Sequence, residues 1–351
     1  MPIKSKYLLV SDLHIHNYKN HAKWVDGVNS RMLDCLNALD AAFEIGKEQG
    51  CNAAIIAGDI FHVRGYIRPS VFAKVYDRIT KYSQMMPVFM VSGNHDLESF
   101  SAAESALYAL GGVKGCYGSH ILDGSTHTNL QGDLMAGIPY THDIGEFKEK
   151  LYANKGANVI ICHQGVDEFR PTANIPETSL TVDAFEGVAD LIVCGHYHIP
   201  KKRIVGMNTV ISPGAPLQHH FGDEGQERGC WVVSNEGAEF FALHCTPKFK
   251  TYTMHDAVQP NSQGEFGGHI IRLRGDDSYQ LNQIKQTILD YGAHDVVVDL
   301  DKEFTTTHEK QLTIGSARSM LVEYIDMMDK YKSHKQELLN EFDKLDGGAY
   351  E

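Results

Sequence analysis

Val91-Ser92-Gly93-Asn94-His95-Asp96 sets three consecutive polar side chains directly after an apolar segment. An apolar run, Pro87 to Val91, ends in a glycine and at once delivers an amide, an imidazole and a carboxylate. A glycine lets the backbone turn without a Cβ, so three adjacent polar side chains can fan out beyond the strand instead of sinking into the core. Alone, four polar turn residues after a strand are more often a plain loop. The chain, however, repeats the arrangement four more times. Tyr7 to Ser11 ends in Asp12-Leu13-His14, Ala54 to Ala57 in Gly58-Asp59-Ile60-Phe61-His62, Val159 to Cys162 in His163-Gln164-Gly165, and Leu191 to Cys194 in Gly195-His196-Tyr197-His198. Parallel strands buried on both faces read as such continuous apolar runs, and sites in α/β folds gather where their carboxyl ends emerge.

Around this frame the helical periods are plain. Met32, Leu36, Leu39 and Phe43 recur at helical spacing and Gly50 stops them; Val71, Val75, Ile79 and Tyr82 do the same after Pro69. A glycine-rich loop with a short strand (Leu134 to Ile138) and a short helix (Ile144 to Tyr152) precede the fourth apolar run. After His198 the texture turns to β, at Thr209 to Ile211, Cys230 to Val233 and Phe240 to Leu243. The expected fold class is α/β: two packed mixed β-sheets flanked by helices. Residues 212–222, too long and too polar for a strand, are expected to line the mouth of the site. Past Pro247 a strand (His269 to Leu273), a helix (Leu281 to Tyr291) and a strand (Val296 to Leu300) suggest a small α+β module. The division predicted is therefore 1–247, 248–302 and 303–351. The last part comprises a Thr-rich linker, Thr305 to Thr313, and a helix from Ser316 with Leu321, Ile325, Met328, Leu338, Phe342 and Leu345 among charged residues. That helix either packs on its own domain or binds a partner.

Composition narrows the function classes. The chain has 351 residues, 42% of them hydrophobic, and a formal net charge of −13. This argues against a generally cationic nucleic-acid coat while leaving room for local basic patches. Seven cysteines are scattered singly, so neither a disulfide framework nor a Cys-x-x-Cys zinc site is indicated, and a reducing cytoplasm is expected. No apolar run approaches the roughly 18 residues of a membrane span, and no signal peptide or anchor is expected.

Two divalent cations a few ångströms apart need about eight to ten protein donors including a bridging carboxylate; imidazole, carboxylate and amide together suit manganese, iron or zinc rather than calcium. Asp12, His14, Asp59, Asn94, His163, His196 and His198 supply that inventory. With Asp-x-His, Gly-Asp, Gly-Asn-His, a lone His and Gly-His-x-His in this order, the sequence resembles the calcineurin-like metallophosphoesterases. The resemblance implies their four-layer sandwich, one metal on Asp12, His14, Asp59 and His198, a second on Asp59, Asn94, His163 and His196, and Asp59 as the bridge.

Within that superfamily the motifs Gly58 to His62, Gly93 to Asp96, Cys162 to Gly165, Ser212 to Pro216 and Phe221 to Gly225 look like those of SbcD-type nuclease subunits of DNA double-strand-break repair. That likeness covers roughly the first two thirds of the chain; the last third resembles a capping domain and a helix for an SbcC-like ABC-type ATPase only in length and texture. Ile15-His16 stands where that group usually has Leu-Gly, the chain is compact as in phage-encoded members, and the Asp-Arg-Gly of the superfamily's protein phosphatases is missing after Asp59. The implied activity is manganese-dependent hydrolysis of DNA ends and hairpins, as a 3′-to-5′ exonuclease and structure-specific endonuclease in repair, recombination and replication. A homodimer within the ATPase complex is implied too, in the cytoplasm or, for a phage protein, the host's cytoplasm. Magnesium, iron or zinc remain alternative metals.

His95, beside a ligand, is a candidate to protonate the leaving oxygen or orient the phosphate. Asp96 either holds the His95 ring or is a turn carboxylate. His62 resembles the family position that seats duplex ends, or else hydrogen-bonds a ligand. Arg64, Arg68, Lys201, Lys202 and Arg203 are candidates for phosphate contact, although basic loop residues are more often simply solvated. His16, His219 and His220 are candidates for an outer shell. Two other functions share these residues: a small-molecule or cyclic-nucleotide phosphodiesterase, and a scaffold that kept the fold without its metals.

Overall fold

A computed structural model describes residues 2–99, 104–113, 115–172, 178–259, 264–300, 322, 325 and 334–346. Contacts divide the chain into Met1–Asp301 and Lys302–Glu351.

The first unit is built on two six-stranded sheets. One runs β14-β13-β1-β4-β5-β6, with β1 Tyr7–Val10, β4 Ala53–Ile56, β5 Val88–Met90, β6 Ser119–Ile121, β13 Gly229–Ser234 and β14 Gly237–Ala242. The other runs β11-β12-β10-β9-β8-β7, with β7 Thr126–Thr128, β8 Leu134–Ile138, β9 Val159–His163, β10 Leu191–Gly195, β11 Lys201–Val205 and β12 Asn208–Ser212. Strands β1, β4, β5 and β6, and β8, β9, β10 and β12, are parallel within their sheets.

Parity along the strands explains the unbroken apolar runs. Tyr7, Leu9, Ile55, Phe89, Ile161 and Val193 meet between the two sheets. Leu8, Val10, Ile56 and Met90 face the other way, against α1 (Ser30–Glu48) and α2 (Pro69–Tyr82). Ile160, Ile192 and Val210 turn outward against α3 (Ile144–Ala153) and the 3-10 turn Val182–Phe185. Helix, sheet, sheet and helix therefore form four layers, as the α/β reading expects. Asn29 caps α1 by accepting the Met32 N–H, and Asp143 caps α3 by accepting those of Gly145 and Glu146. At the amino ends of the strands a polar clasp joins the layers. Asp133, ahead of β8, accepts the N–H groups of Lys4 (2.8 Å) and Ser5 (2.9 Å) and the Tyr7 hydroxyl (2.8 Å). Burial pushes the Asp133 carboxyl up, but these donors together hold it below the usual carboxylate value.

Residues 249–300 have a parallel three-stranded sheet of their own, β15 Phe249–Thr253, β16 Ile270–Gly275 and β17 Asp295–Leu300. With α4 (Met254–Ala257) and α5 (Ser278–Asp290) this sheet encloses a small core around Phe266, Leu273 and Leu281. Several strands had no clear signal in the pattern: the β2–β3 hairpin (Trp24–Val25 and Val28–Asn29), β6 and β7 within the expected glycine-rich loop, β15, and β11. Lys201, Lys202 and Arg203, expected on a loop, belong to β11 because it pairs antiparallel with β12 as a sheet edge, where cations are tolerated.

In the second unit α6 (Lys335–Asp346) is described, Ile325 is buried and Leu338 is exposed. The linker Thr305 to Thr313, Leu321, Met328 and the side chains of Phe342 and Leu345 lie outside the described residues. Among the described residues no helix is long and apolar enough to cross a membrane.

Candidate metal centre

The carboxyl ends of β1, β4 and β5 in one sheet and β9 and β10 in the other meet at one place. The loops after β1 and β4 continue the pairing beyond the strands: His14 N–H donates to Asp59 O (2.9 Å), and Ile15 N–H to Ile60 O (2.8 Å). Asp12 (φ 52°), His14 (47°), Asp59 (51°) and His196 (111°) all adopt the left-handed region, and they are four of the seven described non-glycine residues that do. Such conformations cost energy and persist where surrounding structure over-determines them, which marks a functional site. Close approach is enforced by glycine: a Cβ on Gly93 would stand 2.2 Å from Asp59 Oδ1, and one on Gly195 would meet the Ala57 carbonyl and the Ser11 hydroxyl.

All seven expected ligands are brought together. His14 Nε2 lies 3.1 Å from His198 Nε2 and 3.6 Å from Asp59 Oδ2, while His163 Nε2 lies 3.3 Å from the same Asp59 oxygen. Asp59 thus stands between the two imidazole sets, in the position a bridge requires. Asp12, Asp59 and His163 also converge, as do Asp12, His14 and His198. The His196 Nδ1 and Asn94 Oδ1 atoms are 3.1 Å apart. Asp12 accepts the His196 N–H at 3.2 Å on each carboxylate oxygen, tying the two sheets together.

These donors fit cations. His163 donates from Nδ1 to the Ala57 carbonyl (2.7 Å), and its buried Nε2 has no hydrogen-bond partner. An orphaned imidazole lone pair beside a carboxylate is a metal-ligand arrangement, with the carbonyl fixing the tautomer. Two imidazole nitrogens 3.1 Å apart match the spacing of neighbouring ligands bound at about 2.1 Å to one cation. Electrostatics agree. Burial lowers His163, but Asp59 more than reverses this and raises it to about 10, so the carboxylate draws positive charge to that nitrogen. Burial would raise Asp59, yet His163 and His14 hold it far below the carboxylate range. Burial raises Asp12 and keeps His14 and His198 low, leaving those imidazoles neutral and able to ligate.

A cavity of about 250 Å³ opens over the cluster, lined by Asp59, Asn94, His95, His196 and His198 and by Tyr18, His62, His219 and His220 at its mouth. His95 donates its backbone N–H to Asp59 Oδ1 (2.8 Å), and its ring Nδ1–H to His62 O (2.6 Å). The His62 carbonyl, not Asp96, orients the ring. Asp96 is a buried turn carboxylate that accepts the N–H groups of Phe61 (2.9 Å) and Gly93 (3.0 Å), with burial and then the Asp59 charge raising it to about 7. His62 lies parallel to His95 with ring centroids 5.5 Å apart, and burial followed by His95 lowers it to about 4. Its Nδ1 is 3.4 Å from His14 Nδ1.

His219, half-buried, donates from Nε2 to the Asp12 carbonyl (3.1 Å). Exposed His220 borders the mouth, and His16 lies 5.5 Å from the His62 ring. Burial, then the charges of Arg68 and Lys19, lower His16. Arg64 donates from Nε to the Asn94 carbonyl (2.8 Å), holding a ligand's backbone, and Arg68 stands beside His16 at the start of α2. Lys201 is bonded to the Glu168 and Arg170 carbonyls and Lys202 reaches Ala238 O. Neither they nor Arg203 line the cavity.

Two further residues had no sequence signal. The Tyr18 hydroxyl donates to His14 O (2.6 Å), and buried Arg228 bonds the His198 carbonyl while pairing with Asp223 at 2.8 Å. Each supports a ligand's backbone, Tyr18 from four residues on and Arg228 from thirty, with no motif spacing to reveal it.

Residues 5–200 match the calcineurin-like phosphoesterase family. The chain is 23% identical over 235 residues, 65% of its length and 75% of the other's, to "Putative phosphoesterase 244L" of Invertebrate iridescent virus 6. Similar solved structures include a novel archaeal phosphodiesterase, at 12% identity and TM-score 0.37 over 68% of this chain and 99% of that one. Another is GAP50, the anchor in the inner membrane complex of Plasmodium, at 15% identity and TM-score 0.40 over 68% of this chain and 84% of that one.

Proposed function

Because the chain belongs to the calcineurin-like phosphoesterase family, its activity is phosphoester hydrolysis, and we propose that its substrate is the phosphodiester backbone of DNA, cut at ends and hairpins. The observation that carries the hydrolytic reading is the donor cluster astride two sheets, with Asp59 Oδ2 within 3.6 Å of His14 Nε2 and 3.3 Å of His163 Nε2. Choice of DNA is supported by the likeness of the five motifs to SbcD-type subunits, and that likeness also suggests an SbcC-like ATPase partner and a homodimer.

Asp12, His14, Asp59 and His198 would hold one divalent cation and Asp59, Asn94, His163 and His196 another; the mixed imidazole, carboxylate and amide donors suit manganese, iron or zinc, and the likeness to SbcD-type subunits favours manganese among them. Bound there, such cations polarise phosphoryl oxygens and lower the pKa of water. The chain's own contribution is positional. Asp12, tied to the His196 N–H, keeps ligands from both sheets in register. With Nδ1 committed to the His62 carbonyl, His95 keeps Nε2 free to carry a proton to the departing sugar oxygen. His62, held neutral, offers a hydrogen-bonding edge at the mouth.

An end-labelled linear duplex, a DNA hairpin and bis(p-nitrophenyl) phosphate, each with manganese or magnesium and with or without an SbcC-like ATPase, test the reading. Cutting of duplex and hairpin is expected, with manganese preferred. Hydrolysis of the small diester with intact DNA in every arm would instead identify a small-molecule phosphodiesterase. Loss of all three activities with metal bound would leave the scaffold.

A further inference from the structure

The loop leaving β1 goes on beyond the cavity. Its base is fixed at several points. Tyr18 donates its hydroxyl to His14 O (2.6 Å), Asn29 Nδ2–H donates to Tyr18 O (2.8 Å), His21 Nδ1 meets Asp295 Oδ2 at 2.7 Å, and His294 Nε2–H donates to His21 O (2.8 Å). The tip is the β2–β3 hairpin, turned by Asp26 (φ 50°) and Gly27 (φ 75°), a pairing suited to a tight two-residue turn. On this anchored hairpin Trp24 is 65% exposed and Val25 52%. An indole left in water on a fixed support is a large apolar face held ready for a partner.

Charge indicates which partner. In a chain of net charge −13, residues 16–27 carry Lys19 and Lys23 against a single carboxylate, Asp26 at the turn. Both lysines are exposed, and Lys19 and Arg68 flank His16, whose ring neighbours His62 at the cavity mouth. Cations that track a backbone, interleaved with an exposed ring, are the recognition chemistry of an unpaired nucleic-acid strand; stacking tolerates any base because every base has a π face. Tyr66, 61% exposed after β4, is a weaker platform because its cavity is shared with Glu98 and Glu104, which repel phosphate.

We infer that the Trp24 hairpin stacks an unpaired base of the strand entering the metal cavity, while Lys19 and Lys23 meet its phosphates. This rests on the DNA reading above and extends it to single-stranded or frayed ends.

Intrinsic fluorescence of the full chain, titrated in EDTA with dT12, a 12-base-pair duplex closed at both ends, or inorganic phosphate, tests it. The chain has two tryptophans, and the other, Trp231, is 9% exposed. dT12 should quench the emission and bind more tightly than the closed duplex, and phosphate should leave the signal unchanged. Trp24→Ala, followed by anisotropy of labelled dT12, should bind about ten-fold more weakly, within the span of one base–aromatic stack. Trp24→Phe, which keeps an aromatic face, should recover most of that affinity. Lys19→Ala/Lys23→Ala leaves the indole in place and should flatten the slope of log K against log salt by about 1.4. Equal dT12 affinity of wild type and folded Trp24→Ala overturns the platform alone, provided wild type still binds and cuts DNA. A wild type that neither binds nor cuts any DNA overturns the DNA reading and the platform together.

Discussion

Gly93→Ala offers the sharpest test of how the site is held. The glycine is outside the left-handed region, so alanine meets no backbone objection there and any effect comes from contact. The new Cβ would stand 2.2 Å from Asp59 Oδ1, which the His95 N–H holds in place, and 2.4 Å from Asp59 N, which is backbone. Ordinary non-bonded carbon contacts sit near 3.5 Å, so Asp59 or the Gly93 turn must yield by about 1 Å. Asp59 is the carboxylate between His14 and His163, and its Oδ1 also accepts the His95 N–H. A displacement of about 1 Å at reacting groups costs about 100-fold in rate, or about 2.7 kcal/mol of barrier. Overpacking adds about 1–3 kcal/mol of lost stability. The assay is kcat on bis(p-nitrophenyl) phosphate at saturating manganese, with bound metal counted by plasma mass spectrometry and folding checked by thermal melt. Wild-type kcat in a variant that melts normally and binds its full metal complement would refute the reasoning, since Asp59 would then have room the geometry denies it.

Other substitutions separate the remaining roles. Asp59→Asn removes the charge shared by both imidazole sets and should lower kcat by at least about 1,000-fold while the fold survives; near-normal turnover would sink the two-metal assignment. His95→Gln should keep the full metal complement by anomalous scattering yet lose about 100- to 10,000-fold in rate, whereas His163→Ala should lose metal itself; metal loss from His95→Gln would make His95 a ligand. Asp133→Asn should cost about 1–3 kcal/mol near neutral pH. Because the folded Asp133 carboxyl is held below its unfolded value, its contribution is present above about pH 4 and is lost as pH falls through the folded value. Urea melts of wild type and variant should therefore converge in acid, and a gap independent of pH would contradict the depressed carboxyl.

The ligand strands were legible because two independent signals coincide at each end: an apolar run long enough for burial on both faces, and donors at the next turn. Helices α1 and α2 showed their buried stripes as plainly. What escaped is what depends on tertiary contact. Strand β11 carries three successive cations, which no strand pattern favours, and becomes a strand because β12 offers it an edge. Asp96 follows His95 directly, and adjacency suggested a partner; the turn instead points its carboxylate at the N–H groups of Phe61 and Gly93. Tyr18 and Arg228 hold ligand backbones, a role that residue type alone does not announce, whereas His219 stood out as a candidate for an outer shell and reaches the Asp12 carbonyl from across the chain.

The two sheets are fastened at opposite ends by different chemistry. At the amino ends Asp133 locks β1 to the approach of β8 with ordinary hydrogen bonds. At the carboxyl ends the fastening is the donor cluster, Asp12, His14, Asp59 and Asn94 from one plate and His163, His196 and His198 from the other. A cation held there would act as a rivet as much as a reagent. Its binding free energy opposes the sheets' separation, so every ten-fold rise in free metal above its dissociation constant adds about 1.4 kcal/mol to unfolding per site. Metal supply would then set not only how fast the protein works but how long it lasts, with the starved protein coming apart first at the end where the chemistry is done.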